Sequence, residues 1–315
     1  MISKASAPGK VILFGEHFVV YGIKAILCAI DKRIIVTAEK IPENKIVITS
    51  NIGELEIPLK KSISEINSPL KPFYYLANKM IMKHNQITGI KIFVKSEIPL
   101  GVGLGSSSAC CVAGAAAISK LFEEMDKKQI LELAIEAERT IFQNTSGADC
   151  TVCTFGGLME YDKEHGFSKI ESESNFHLVI ANSNIEHSTD LVVANVREFK
   201  EKNEEKFSEI CKKELKLIES VMRMLKDNDF EGLGKCMHKN QEFLEIIGIS
   251  NEKLREMIRV AENTSFGAKI TGAGGGGCII ALTDESNLEK TILKLRDENY
   301  DCFSVKIDFK GLDTF

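Results

Sequence analysis

Pro99-Leu100-Gly101-Val102-Gly103-Leu104-Gly105-Ser106-Ser107-Ser108-Ala109 alternates three glycines and then runs into three serines. A small-residue run continues to Ile118, interrupted only by Gly114. Glycine permits backbone conformations and close approaches that a Cβ would block. Serine suits a helix N-cap, where the first N–H groups lack partners within the helix. The stretch therefore reads as a glycine loop feeding a serine-capped helix, an anion cradle at the positive end of the helix dipole. Phosphate is the expected anion. The plainer reading is a tight turn before a buried small-residue helix, and the loop alone does not separate the two. It is not a Walker A loop, because no Gly-Lys-Ser/Thr follows. It is not a dinucleotide fingerprint either, because Ser108 stands where the third glycine belongs.

Composition narrows the classes. A chain of 315 residues is long enough for two ordinary domains. With 44% hydrophobic and 27% charged residues it has a globular balance. The net charge of −5 gives no electrostatic case for nucleic acid or an anionic membrane surface. An anionic substrate must then be met by local positive groups. No apolar run reaches the ~18 residues of a membrane span, and Met1 to Ser6 carries no signal-peptide core, so a cytoplasmic protein is expected. The nine cysteines are odd in number and read as reduced thiols. Cys150 and Cys153 form a C-x-x-C, but Thr151 to Phe155 reads as a strand, which points the two thiols to opposite faces. No second C-x-x-C exists, so a metal or redox role is disfavoured.

Working outward, residues 4–14 read as a strand with turn chemistry at Pro8-Gly9. Gly15-Glu16-His17 follows, with two polar residues between apolar runs that are better placed in a pocket than on a surface. Residues 25–39 and 45–57 read as antiparallel strands, 72–84 as a helix and 89–96 as the strand entering the glycine loop. The helix after the loop is expected to end near Met125, and the next to run from Lys127 to Phe142. Asn144 to Asp149 reads as a turn delivering Asp149 to a strand, with Leu158 to Tyr161 as its hairpin partner. The acidic stretch 162–175 marks a domain boundary. Beyond it come a buried strand (176–181), three long helices over 191–247, and a further helix over 251–264. Then Lys269-Ile270-Thr271-Gly272-Ala273-Gly274-Gly275-Gly276-Gly277-Cys278 places a glycine run between two apolar strands. A plain hairpin needs about two residues there, so the extra glycines imply close approach to a ligand or another backbone. A final helix (288–298) and strand (302–309) close the chain.

Three stretches together carry a resemblance: Pro8-Gly9-Lys10-Val11-Ile12-Leu13-Phe14-Gly15-Glu16-His17, the Pro99 to Ala109 loop, and Lys269 to Cys278. In this order they resemble the GHMP small-molecule kinase superfamily over nearly the whole chain. Within it, Gly15-Glu16-His17-Phe18-Val19-Val20-Tyr21-Gly22, with Glu138-Arg139 and Ser146-Gly147-Ala148-Asp149, resembles the mevalonate kinases. The resemblance implies an α+β, two-domain fold: an N-terminal domain like ribosomal protein S5 domain 2 (1–170), and a ferredoxin-like C-terminal domain (171–315). It implies ATP and Mg²⁺ as cofactors, mevalonate as the small-molecule substrate and a homodimer as the assembly.

The same resemblance assigns roles residue by residue. Asp149 would accept the proton of the substrate hydroxyl, and Lys10 would stabilise the developing negative charge. Pro99, Gly101, Gly103, Leu104, Gly105, Ser106, Ser107 and Ser108 would wrap the nucleotide. Ser107 and Glu138 would hold Mg²⁺, with Ser108 as the alternative serine. Glu16, His17, Thr189, Gly272 and Ala273 would shape the substrate site, and the 272–277 glycines would pack over the phosphate loop. The chain departs from the family pattern at Phe142-Gln143 (usually His-Gly), Thr145 (commonly Pro) and Asp190 (commonly basic). The implied reaction is phosphorylation of the C5 hydroxyl of mevalonate. The alternatives are a sister kinase acting on phosphomevalonate or another mevalonate hydroxyl, and a non-catalytic nucleotide sensor on the same fold.

Overall fold

A computed structural model of the chain describes residues 1–99, 102–172, 176–186 and 188–315. Strand β1 (Ile2–Phe14) pairs antiparallel with β2 (Ala25–Ile41) over nearly its full length. Pro8-Gly9 does not end β1. It gives a register shift between the two residues, the bulge expected where one residue lacks an N–H and the next a Cβ.

Strands β3 (Lys45–Ser50) and β4 (Gly53–Pro58) form a hairpin. The expected β2–β3 neighbourhood is not found. Strand β5 (Gly89–Ser96) lies between them, antiparallel to β2 and parallel to β3. A parallel pair needs a crossover, and helix α1 (Lys71–Lys83) lies on it. Strand β6 (Leu158–Asp162) pairs with the start of β2, and β7 (Gly166–Ile170) pairs with β6. The C-terminal β12 (Asp313–Thr314) returns to pair with β1. Arg33 anchors that return by reaching Ser6, Asp308 and the Gly311 carbonyl.

Helices α2 (Ser106–Ser119) and α4 (Ala148–Phe155) sit against this sheet, and α3 (Lys127–Glu138) packs on both of them. Helix α2 is buried along nearly its whole length, which its alanines and Gly114 allow. Its end at Ser119 and the end of α3 at Glu138 correct the later limits expected from sequence. The larger correction is α4, where a strand was expected. Its two threonines satisfy themselves inside the helix: Thr151 Oγ1 donates to the Gly147 carbonyl at 2.9 Å and Thr154 Oγ1 to the Cys150 carbonyl at 2.8 Å. Cys150 and Cys153 therefore share a helix face, both buried, with thiols held well above the usual range by burial. All nine cysteines are free.

The second sheet runs β11-β8-β10-β9, antiparallel throughout. Its strands are β8 (His177–Asn182), β9 (Gly267–Ile270), β10 (Cys278–Thr283) and β11 (Asp301–Lys306). Its helices are α5 (Thr189–Lys202), α6 (Glu204–Asp227), α7 (Phe230–Ile246), α8 (Glu252–Glu262) and α9 (Glu285–Asp297). With α5 to α8 taken as one crossover, this is the ferredoxin-like order. Buried side chains run continuously from one sheet to the other, so β1 and the β9–β10 loop meet inside the molecule. No helix among the described residues is long and apolar enough to cross a membrane.

Candidate active site

The site is built on β1. Lys10 lies near the middle of the strand, and its backbone N–H donates to the Leu104 carbonyl at 2.9 Å, pinning the glycine loop to the strand. Gly105 is the N-cap of α2, in the left-handed region with φ 71°. A Cβ there would lie 2.7 Å from Lys10 Cγ, so the position needs glycine for conformation and for space. The expected serine cap is thus corrected: no side chain caps α2, and Ser106, Ser107 and Ser108 form its first turn. The N–H groups of that turn have no partner within the helix, which leaves them for an anion. Gly103 and Pro99 are exposed beside the loop and Leu104 is buried beneath it; Leu100 and Gly101 lie outside the described residues.

Gly147, also left-handed at φ 77°, caps α4 and places Asp149 in its first turn. Lys10 Nζ lies 3.1 Å from Asp149 Oδ2. The lysine side chain is 7% exposed and the aspartate 35%, so the ammonium is enclosed while the carboxylate is partly open to solvent.

Glu138 ends α3 and is buried. Ser108 Oγ donates to Oε1 and Thr145 Oγ1 donates to Oε2 at 2.5 Å. The serine bonded to Glu138 is therefore Ser108, while Ser107 is half-buried one position earlier. The Thr145 hydroxyl also accepts the Gly147 N–H at 3.2 Å, joining this carboxylate to the cap of the Asp149 helix.

A second cluster sits beyond the end of β1. Glu16 pairs with Lys269 of β9, and both side chains are fully buried. Lys269 Nζ also donates to the Ile270 carbonyl at 2.6 Å. Burial pushes Glu16 up and Lys269 down, each opposed by its partner. His17 adopts φ 58°, and its Nε2 donates to the Ala273 carbonyl at 2.7 Å. Burial holds the His17 imidazole below its ordinary pKa, against that hydrogen bond. Thr271 Oγ1 accepts from Ile12 N at 3.1 Å and donates to Ile12 O at 2.9 Å, strapping the glycine run to β1. The hydrogen bonds of this run go to β1, His17 and residues 183–185 and 249–251. No hydrogen bond joins this run to the described phosphate-loop residues; β1 links the two loops, through Lys10 N to the Leu104 carbonyl on one side and Ile12 to Thr271 on the other.

The structure thus gathers Lys10, Asp149, Glu138 and residues 103–108 at one end, and Glu16, His17 and Ala273 at the other, joined by β1. Gly272 is half-buried at φ 82° at the start of the glycine run. Thr189 is not tied in: it is exposed in the first turn of α5, beside exposed Asp190, and its side chain makes no hydrogen bond to a described residue. Phe142 is likewise exposed. Sequence reasoning missed Lys269, Thr271 and Thr145 as site residues. Lys269 did carry a signal, a single charge inside an apolar strand. Thr145 registered only as a departure from a pattern.

Residues 72–157 match the GHMP kinases N terminal domain and residues 217–301 match the GHMP kinases C terminal domain. The chain is 36% identical over 305 residues to a protein named mevalonate kinase from Pyrococcus furiosus, with 90% of each chain covered. It is 36% identical over 280 residues to one from Archaeoglobus fulgidus, covering 88% of this chain and 91% of the other. The crystal structure of the Methanococcus jannaschii mevalonate kinase superposes with a TM-score of 0.86 at 31% identity, covering 98% of both chains. The chain belongs to the GHMP kinases and, within them, to the mevalonate kinase family.

Proposed function

We propose that the protein transfers the γ-phosphoryl group of ATP to the C5 hydroxyl of mevalonate, giving 5-phosphomevalonate. The observation that carries the reading is Lys10 Nζ at 3.1 Å from Asp149 Oδ2, beside the α2 N-terminus. Phosphoryl transfer asks for positioning and charge stabilisation more than for covalent chemistry. The unpaired N–H groups after Gly105 hold the phosphates. Asp149 accepts the hydroxyl proton as the phosphoryl group arrives, and Lys10 meets the charge that develops on the transferring oxygens. Glu16 and His17 line the acceptor end, their positions fixed by Lys269 and Ala273.

The Glu138 carboxylate and the two hydroxyls bonded to it, Ser108 and Thr145, are hard oxygens that fit Mg²⁺, and the nearby thiols of Cys111, Cys150 and Cys153 are held protonated by burial, so they do not compete as ligands. Glu138 with Ser107 or Ser108 would hold the ion, which would supply neutralisation of phosphate charge there.

The test is ADP release with Mg·ATP on mevalonate, 5-phosphomevalonate, galactose and homoserine, with the product read by phosphorus NMR. Turnover on mevalonate with phosphate on the C5 oxygen is expected. Turnover on another acceptor instead would overturn the substrate assignment while keeping the phosphoryl-transfer site. Nucleotide binding with no turnover on any of the four would favour a sensor.

A further inference from the structure

The buried network around Glu16 continues into helices that the proposed chemistry does not use. On α6, Phe207, Ile210, Leu217, Ile218, Val221 and Leu225 form the buried stripe, and Glu214 sits in its middle, fully buried. On α7, Asn240 holds the matching place between Met237 and Leu244. Asn240 Nδ2 donates to Glu214 Oε1 at 2.7 Å. The other oxygens of this group, Glu214 Oε2, Glu16 Oε2 and Asn240 Oδ1, are buried without a hydrogen bond of good geometry, the Gly15 N–H facing the Glu214 carboxyl without closing one.

Such atoms are costly unless their charge is neutralised. Lys269 is the cation at hand, and it already bonds Glu16 and the Ile270 carbonyl. Lys269 makes no ion pair with Glu214, so the second buried carboxyl has no cation in contact, and a proton on one of the two balances the group. The geometry assigns that proton to Glu214, since Glu16 holds the lysine. Burial and the neighbouring Glu16 push Glu214 up to about 7, while Asn240, Lys269 and the Gly15 N–H draw it back.

We propose that Glu214 is a proton-carrying positioning residue, reaching from α6 to the Gly15–Glu16 backbone and setting the Glu16–His17 turn for the anionic end of the acceptor. The proposal rests on that turn forming the acceptor site. With the proton on, Lys269 belongs to Glu16 alone. With the proton off, a second buried negative charge competes for the same ammonium and opposes an anionic acceptor. The titratable groups facing Glu214 are Glu16 from the turn after β1, Lys269 from β9, Cys236 from α7 and Cys211 on α6 itself, with Lys200 of α5 beyond Cys211. Burial pushes both thiols up, so neither changes charge near neutrality.

The experiment compares wild type with Glu214→Gln, an isostere that never ionises, on either side of a midpoint of about 7. The Gly15 amide shift in a nitrogen-15 correlation spectrum is expected to titrate in the wild type and to stay still in the variant. The KM for mevalonate is expected to rise with pH in the wild type only, of the order of 10-fold for one added charge at about 10 Å and an effective dielectric near 20. The KM for ATP should not follow it. A Gly15 amide that is still in the wild type, or that moves equally in both proteins, overturns the proposal. A wild type that does not use mevalonate overturns the acceptor reading, and the amide titration still decides the role of Glu214. Should Glu214→Gln fail to fold, the Glu214 carboxyl carbon of the wild type decides. A midpoint at the ordinary 4.5 overturns the proposal, and one near 7 with Gly15 moving alongside supports it.

Discussion

Asp149 and Lys10 stand 139 positions apart in the chain and 3.1 Å apart in space. Asp149 has Lys10 as its one ion-pair partner among the described residues and is 35% exposed, as its proposed role of receiving a proton from the substrate requires. Asp149→Asn keeps the shape and loses the acceptor. It is expected to lower kcat by ~10²–10⁴-fold with little change in nucleotide affinity, measured by steady-state turnover and by ATP titration. The Glu138 contacts separate the two candidate serines. Ser108→Ala removes a hydroxyl that holds Glu138 in place, whereas Ser107→Ala leaves that bond intact. If Ser108 positions the carboxylate, its loss raises the Mg²⁺ concentration for half-maximal activity and lowers thermal stability, while the loss of Ser107 affects metal dependence alone. Equal melting temperatures for the two variants would sink this distinction.

At the scale of elements, the glycine loop and α4 show how local chemistry and context divide the work. The alternating glycines announced a loop before a helix, but the cap passed to Gly105 because the chain turns there through positive φ against Lys10. Gly105→Ala is expected to destabilise by about 1–2 kcal/mol from the left-handed conformation alone, with the Lys10 clash added. Its KM for ATP should rise as well, since the loop cannot stay in place; thermal denaturation and kinetics read the two effects. Residues 151–155 look like a strand because threonine, valine and phenylalanine favour one. They form a helix because Gly147 starts it, the threonine hydroxyls return to backbone carbonyls, and α2 offers a surface to bury against. The β3–β5 pairing was equally hidden, since strand patterns carry no information on which strand comes to lie between two others.

At the scale of the molecule, the two sheets are joined by buried polar bonds as well as by apolar contact. Glu16–Lys269 and Thr271–Ile12 both cross from β1 or its turn to the β9–β10 hairpin. Lys269→Met leaves a buried carboxyl without its cation and is expected to cost about 3 kcal/mol, read by denaturant unfolding. Adding Glu16→Gln should recover part of that loss, because the orphaned charge goes with it. Glu214 gives the whole fold a pH dependence. Its carboxyl lies at about 7 when folded against an ordinary 4.5. Between those values the native state holds a proton that the unfolded chain has lost, so stability falls as pH rises through that window and levels off above it. The span corresponds to a contribution of order 3 kcal/mol. Glu214→Gln is expected to flatten the decline, so that the variant gains on the wild type from acid toward neutral pH. Parallel stability curves for the two proteins would refute it.

The sequence by itself determined the loop before α2, the amphipathic helices of the second half, the glycine-broken hairpin and the family, because each is written in neighbouring residues. It also carried Glu214 as a lone acid in an apolar stripe and Lys269 as a lone charge in an apolar strand, signals without a partner. Only the tertiary structure decided what those charges meet, which serine touches Glu138, that residues 148–155 are helical, and that β5 separates β2 from β3. Local propensity acts over a few residues, while burial, desolvation and hydrogen-bond satisfaction depend on groups that the fold brings together from hundreds of positions away.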